Sequence, residues 1–314
     1  MALGIVFPGQ GSQSVGMLDE LSRDHPQMKE TFTEASDVLG YDLWHLVING
    51  PAAELNRTEK TQPAMLAAGV AVWRIWLKRG GQVPAMVAGH SLGEYTALVC
   101  ADALSFEDAL LLVADRGAYM QNAVPDGTGA MAAILGLDDE KVIDVCEQAA
   151  QGEVVAPANF NSPGQVVIAG HIQAVQRALE TARASGAKRA VMLSVSVPSH
   201  CELMKPAADK LAGDLKNTEI KLPSIPVIHN VDAETKTDPD SIRSALVEQL
   251  YRPVQWTTCV RALAGKGMVK LVECGPGKVL SGLNKRIDRS LECLATSGPA
   301  DLEKTLSSLR GELA

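Results

Sequence analysis

Ala85-Met86-Val87-Ala88-Gly89-His90-Ser91-Leu92-Gly93-Glu94-Tyr95 is the stretch that decides the fold of this chain. Its first five residues are small or apolar and read as a short buried strand. Helical spacing begins at Leu92 and runs to Ala101. Between them lies Gly89-His90-Ser91-Leu92-Gly93, which fits G-x-S-x-G, the nucleophile elbow. A serine at a sharp strand-to-helix turn projects its hydroxyl clear of the backbone, and glycines on either side remove Cβ atoms that would clash. The elbow also sets Ser91 at a helix N-terminus, where the free N–H of Leu92 and the helix dipole can hold a developing oxyanion. A tight glycine turn with a capping serine is the plainer reading of the same letters.

Outward from the elbow, the grammar is that of an α/β protein. Leu3-Gly4-Ile5-Val6-Phe7 reads as a buried strand that stops at Pro8-Gly9. Helices are expected at 26–39, 61–79 and 105–123, the last capped by Ser105 with Asp108. From 126 to 197 the pattern changes to strand 130–135, helix 139–149, strand 154–160, turn 161–164, strand 165–169, helix 171–185 and strand 189–197. That β-α-β-β-α-β order predicts a ferredoxin-like subdomain over 126–197, inserted into a core of 1–125 and 198–314. The core resumes with a helix near 202–217, strands at 226–230 and 269–274, and a final helix after Gly275-Pro-Gly277.

Composition narrows the functional classes. The 314 residues are 46% hydrophobic and 21% charged, as in ordinary soluble proteins, with only 4% aromatics, so the core must be mostly aliphatic. A net charge of −8 leaves no basic footprint for nucleic acid, and an acidic partner would need a local cationic patch. Six cysteines show no metal-ligand spacing, so no metal is expected. With no secretory leader recognisable, a cytoplasmic setting is expected. The apolar start lacks a basic n-region and is too short to span a membrane.

Three further features carry chemistry. Gly9-Gln10-Gly11-Ser12-Gln13 follows the first strand and could turn backbone N–H groups into a shared cavity, or be a flexible loop. It is no dinucleotide site, because Ser14 stands where G-x-G-x-x-G needs its third glycine. Arg116 lies on an apolar helical stripe with Leu112, Val113 and Met120. A guanidinium facing inward needs an anion, either an internal carboxylate or a ligand's. Of six histidines, His25 and His45 read as surface residues, His171 opens a helix, and His90 should point away from Ser91 as a supporting residue. His200 and His229 each end a strand, and the sequence alone does not separate them as the base. No Asp or Glu has a strong claim to complete a triad.

Eight motifs occur in a fixed order: F-P-G-Q-G-S-Q (7–13), A-G-H-S-L-G-E-Y (88–95), R-G (116–117), G-A-M-A-A (129–133), N-S-P-G-Q (161–165), V-P-S-H (197–200), P-V-Q-W (253–256) and E-C-G-P-G-K-V-L (273–280). Together they resemble the malonyl-CoA:acyl carrier protein transacylases of bacterial type II fatty acid synthesis, over nearly the whole chain. The resemblance implies an α/β-hydrolase-like parallel-sheet core with an inserted ferredoxin-like subdomain. It implies Ser91 as nucleophile, His200 as general base oriented by the backbone carbonyl of Gln249, and Arg116 as binder of the malonyl carboxylate. The oxyanion hole is then the backbone N–H groups of Gln10 and Leu92. The implied cycle is ping-pong, with malonyl-CoA and acyl carrier protein as partners, no resident cofactor, no metal and a monomeric enzyme. Leu92 and V-P-S-H resemble malonyl-using rather than methylmalonyl-using members. Carrier docking is expected on Lys285, Arg286 and Arg289, or on Lys188 and Arg189. A serine thioesterase or hydrolase using the same Ser-His dyad is the alternative activity, and a non-catalytic binding protein on the same fold is the third.

Overall fold

The computed structural model describes residues 2–125, 127–195 and 197–311. Their strands are β1 (Ala2–Phe7), β2 (Met86–Gly89), β3 (Gly129–Leu135), β4 (Val155–Ser162), β5 (Gln165–His171), β6 (Arg189–Met192), β7 (Val227–Ile228), β8 (Met268–Glu273) and β9 (Glu292–Ala295). They form two sheets. The larger has the order β7-β2-β1-β8-β9, with every pair parallel. β1 sits at its centre with helices on both faces, which is why Leu3, Ile5, Val6 and Phe7 form an unbroken apolar run and are all buried.

The smaller sheet has the order β4-β5-β3-β6 and is antiparallel throughout. Helices Asp139–Ala150 and Ile172–Ala184 pack on it around Ile134, Val142, Ile168 and Leu179. The two β-α-β units interleave, so β3 and β5 lie in the middle, the ferredoxin-like arrangement that the order of elements predicts. β4 ties this sheet to the core: Asn159 bridges to Val254, and the N–H of Phe160 donates to the Val254 carbonyl. The seam sits near the carboxyl ends of β1 and β2, where open α/β sheets bind their ligands.

The chain departs from expectation at several points. The strand expected at 189–197 ends at Met192. Leu193 still donates to the Met131 carbonyl, but Pro198 then packs across Gly129, so the chain crosses over the start of β3 and does not run beside it. Ser196 lies outside the described residues, as does Asp126 at the other expected boundary of the subdomain. His200 therefore ends a loop and not a strand. The helix expected at 61–79 begins earlier, at Thr58, and carries Pro63 inside it. The helix after Gly277, Val279–Ile287, is not the last, since β9 and helix Pro299–Arg310 follow. Helices Leu43–Asn49, Pro239–Gln249 and Trp256–Gly265 were not anticipated. Among the described residues, no helix is long and apolar enough to cross a membrane.

Candidate active site

The elbow forms as its letters demand. Ser91 adopts φ 51°, in the left-handed region that L-residues avoid. A Cβ on Gly89 would sit 1.9 Å from the Gly93 backbone, and one on Gly93 would sit 2.1 Å from the Phe7 carbonyl oxygen. Nothing larger than glycine fits either place. Asn230, two residues past β7, clamps the turn: the Ser91 N–H donates to its Oδ1 at 2.7 Å, and its Nδ2 donates to the Gly89 carbonyl at 2.7 Å. The strain in the turn is thus held from both sides of Ser91.

His200 meets the nucleophile. Its Nε2 lies 2.8 Å from Ser91 Oγ, and its Nδ1 lies 2.6 Å from the carbonyl oxygen of Gln249. A carbonyl only accepts, so Nδ1 carries the proton and the neutral ring leaves Nε2 free to accept from the serine hydroxyl. The His200 N–H donates to Leu250 O at 3.0 Å, so backbone and ring are both pinned to the end of helix Pro239–Gln249. Burial first, then the positive charge of Arg116, pulls the ring's pKa down to about 3. The ring therefore rests neutral. The helix end turned towards it carries roughly half a negative charge, which favours an imidazolium when one forms.

Arg116 comes from helix Phe106–Gln121, and its neighbour lets it approach. A Cβ on Gly117 would sit 2.7 Å from Glu59 Cα, so the glycine permits close contact with helix Thr58–Lys78. Arg116 is 1% exposed. Nη1 donates to Gln62 Oε1 at 2.6 Å, and Nη2 donates to Gln249 Oε1 at 2.8 Å and to Ser91 Oγ at 3.3 Å. The Tyr95 ring lies 5.5 Å from Arg116 Cζ. Among the described residues no carboxylate forms an ion pair with Arg116, and its Nε has no partner. Burial lowers its pKa. An internal carboxylate, the plainer of the two sequence readings, is not what meets this guanidinium.

These groups face one cavity of about 850 Å3. Gln10, Ser91, Arg116 and His200 line it from the core; Asn159 and Asn161 line it from β4. Leu92 lines it too, and among the described residues nothing accepts from the backbone N–H of Gln10 or Leu92. Both donors are therefore available to an oxyanion. His90 also lines the cavity, but its Nε2 lies 2.8 Å from Asn161 Oδ1 and its ring packs on Trp256, a supporting position that joins the elbow to β4.

Of the residues named from the sequence, Ser91, His200, Arg116, Gln10 and Leu92 line this cavity and Gln249 is buried behind it; the other groups behind the wall were missed. Glu94 and His229 are both fully buried, with His229 Nδ1 2.8 Å from Glu94 Oε1. Gln62 and Asn230 were passed over. Glu94 stands in the quoted motif three residues past Ser91, one helical turn on, and a carboxylate there is the signal that could have been followed.

A neutral histidine on an elbow serine, orphan N–H donors beside it and a cavity over both define a serine acyltransferase on a parallel α/β sheet. The chain matches the acyl transferase domain family over residues 5–290. It is 59% identical over 302 residues to the malonyl CoA-acyl carrier protein transacylase of Salmonella typhimurium, covering 96% of this chain and 98% of that protein. It is 46% identical over 311 residues to the protein of that name from Bacillus subtilis, covering 99% and 98%. The solved acyl carrier protein S-malonyltransferase of Vibrio cholerae superposes with TM-score 0.95 at 58% identity, covering 97% of this chain and 100% of that one. A malonyl-transacylase solved in complex with a type II PKS acyl-carrier protein superposes with TM-score 0.97 at 55% identity, covering 98% and 100%. The chain belongs to the malonyl-CoA:acyl carrier protein transacylase family.

Proposed function

We propose that this enzyme moves a malonyl group from malonyl-CoA to the phosphopantetheine thiol of acyl carrier protein through an ester on Ser91, supplying extender units for fatty acid synthesis. The observation that carries the reading is the contact of one serine hydroxyl with both a neutral histidine and a buried arginine that has no carboxylate partner among the described residues. The histidine makes an acyl carrier of the serine, and the arginine selects an acyl group that ends in a carboxylate.

The cycle has two halves. In the first, His200 Nε2 takes the Ser91 proton as Oγ attacks the thioester carbonyl. The N–H groups of Gln10 and Leu92 receive the oxyanion, and such a donor is typically worth about 10²–10³ in rate. The tetrahedral intermediate collapses, the C–S bond breaks, and the proton on His200 goes to the departing coenzyme A sulfur. In the second, His200 takes the proton of the carrier thiol, the thiolate attacks the malonyl-Ser91 ester, and Oγ recovers the proton. One thioester is exchanged for another with no change of oxidation state, so this reading calls for no resident cofactor and no metal.

On this reading Arg116 binds the malonyl carboxylate by charge-assisted hydrogen bonding, with no carboxylate among the described residues competing for it. A charge-assisted hydrogen bond contributes about 1.5–3 kcal/mol, which corresponds to roughly ten- to a hundredfold preference over acetyl. On this reading residues 1–125 and 198–314 are the catalytic core, and 126–197 a ferredoxin-like subdomain walling the cavity. The buried free thiols of all six cysteines support a reducing setting, and we read the enzyme as cytoplasmic.

Intact mass after mixing with malonyl-CoA tests the reading. A malonyl adduct mapping to Ser91, absent from Ser91→Ala and discharged by holo-acyl carrier protein into malonyl-carrier, is the expected result. Free malonate as the main product with carrier present would mark a hydrolase instead. Arg116→Ala, assayed with malonyl-CoA and acetyl-CoA side by side, should lose malonyl turnover preferentially. Equal loss on both would make Arg116 a structural residue.

A further inference from the structure

The buried polar groups behind Ser91 form one chain of alternating donors and acceptors. Arg116 Nη2 donates to Gln249 Oε1 at 2.8 Å. The other end of the same amide, Gln249 Nε2, donates to Glu94 Oε2 at 2.8 Å and to the Ser91 carbonyl at 3.1 Å. Glu94 Oε2 also accepts from the Asn230 N–H at 2.9 Å, and Glu94 Oε1 meets His229 Nδ1. Glu94, Gln249 and His229 are fully buried.

This chain has only one sense. A guanidinium donates and never accepts, while an ionised carboxylate accepts and never donates. Between them the Gln249 amide has a single orientation, oxygen to Arg116 and nitrogen to Glu94. Glu94 supplies the nearest negative charge to Arg116, but across an amide and not by direct contact. A direct ion pair would neutralise the guanidinium charge that a carboxylate ligand needs. The amide takes one Nη2 N–H and passes on the orientation without placing a counter-charge there.

We propose that Glu94 is a positioning residue for substrate choice: through the Gln249 amide it holds the Arg116 guanidinium beside Ser91 and keeps it free for a carboxylate-bearing acyl group. The inference rests on the reading of Arg116 as the carboxylate clamp, and it extends that role to a residue that touches neither substrate nor Arg116. Glu94 must act as an acceptor on the side facing Gln249. A glutamine at position 94 has one oxygen, which can serve both Gln249 and the Asn230 N–H only if its nitrogen turns to His229 and that ring offers Nδ1 as acceptor. If its nitrogen faces Gln249, that amide turns over and puts a donor against the guanidinium.

The test measures kcat/KM for malonyl-CoA and acetyl-CoA in Glu94→Gln, Gln249→Met, the double variant and Arg116→Ala. In Glu94→Gln the malonyl-to-acetyl ratio should fall about tenfold, mostly through KM for malonyl-CoA, as expected when one charge-assisted contact is misaligned. Gln249→Met cuts the same chain while keeping the carbonyl that binds His200, and should lower the ratio similarly. The double variant should fall no further than the worse single one, because both break one path. If Glu94 only holds the fold together, both substrates lose alike and the ratio stays, which overturns the inference. If Glu94→Gln does not fold, Gln249→Met with its malonyl preference intact overturns it as well. An unchanged ratio in Arg116→Ala would instead show that the clamp itself was misread.

Discussion

Two buried histidines flank the same cluster, and they are held in opposite ways. His200 has a cavity in front of it, a backbone carbonyl behind and the Ser91 hydroxyl on its free nitrogen. His229 has a carboxylate on Nδ1 and nothing on Nε2. By the usual logic of a Ser-His-Asp triad, the ring with the carboxylate would be taken for the reactive one. Here the acid belongs to the ring with no nucleophile. The difference teaches that, on the proposed reading, the base is oriented by a helix end, whose carbonyl fixes the tautomer and whose partial charge opposes the field of Arg116.

The widest break between the two rings should appear on replacement. If His200 is the proton carrier, as proposed, His200→Ala should lower the rate of malonyl adduct formation on Ser91 on the order of 10²–10⁴-fold. His229→Ala should cost about tenfold or less in that rate. Its main effect should be on stability, roughly 1–3 kcal/mol, since Glu94 is left with a buried oxygen lacking its donor. Rapid-quench mass measurements and urea midpoints on the two variants separate these outcomes. Comparable loss of acylation in both would end the distinction.

A smaller effect concerns stability against pH. The folded pKa of His200 is depressed to about 3, chiefly by burial, and that of His90 is lowered for the same first reason. An unfolded histidine takes its proton near 6.5. Above that value neither state holds the extra proton, and the stability is fully present. Between about 6.5 and 3 the unfolded chain binds protons that the folded His200 refuses, so stability is lost as pH falls. Urea midpoints should therefore decline more steeply with acid in the wild type than in His200→Ala. Parallel slopes over that window would show that the ring is not held neutral.

How far the sequence carried can be judged on the same two residues. The elbow was legible because its requirements are local: two glycines, a serine, a strand before and a helix after. The parallel core was legible from unbroken apolar runs such as Leu3–Phe7, and the smaller sheet from its order of elements. His200 and His229 could not be separated, since what separates them is remote in sequence, the end of helix Pro239–Gln249 for one and Glu94 for the other. That helix was itself unforeseen, so its carbonyl could be assigned only by resemblance. The Gln249 side chain, Gln62 and Asn230 were invisible for the same reason. Each is an uncharged amide whose importance comes from facing a buried charge or a strained turn, and no periodicity or spacing records that. Strand 189–197 was overextended because Leu193 to Val197 are compatible with a strand, whereas the crossing of Pro198 over Gly129 is a tertiary event.

The finest test follows the proton through the cycle. After burial, the second influence depressing the His200 pKa is the positive charge of Arg116. Removing that charge in Arg116→Ala should move the acid limb of kcat/KM, which reports the free enzyme, upward towards the ordinary histidine range. In the wild type the same relief should come from the substrate. A malonyl carboxylate on Arg116 cancels its field at His200, whereas an acetyl group leaves that field in place. The acid limb of kcat, which reports the bound complex, should therefore lie above that of kcat/KM for malonyl-CoA, and the two should lie closer together for acetyl-CoA. If the gap is the same for both acyl groups, the carboxylate is not bound at Arg116. If Arg116→Ala leaves the free-enzyme limb where it was, burial alone sets the ring, and the arginine acts on the substrate without tuning the base.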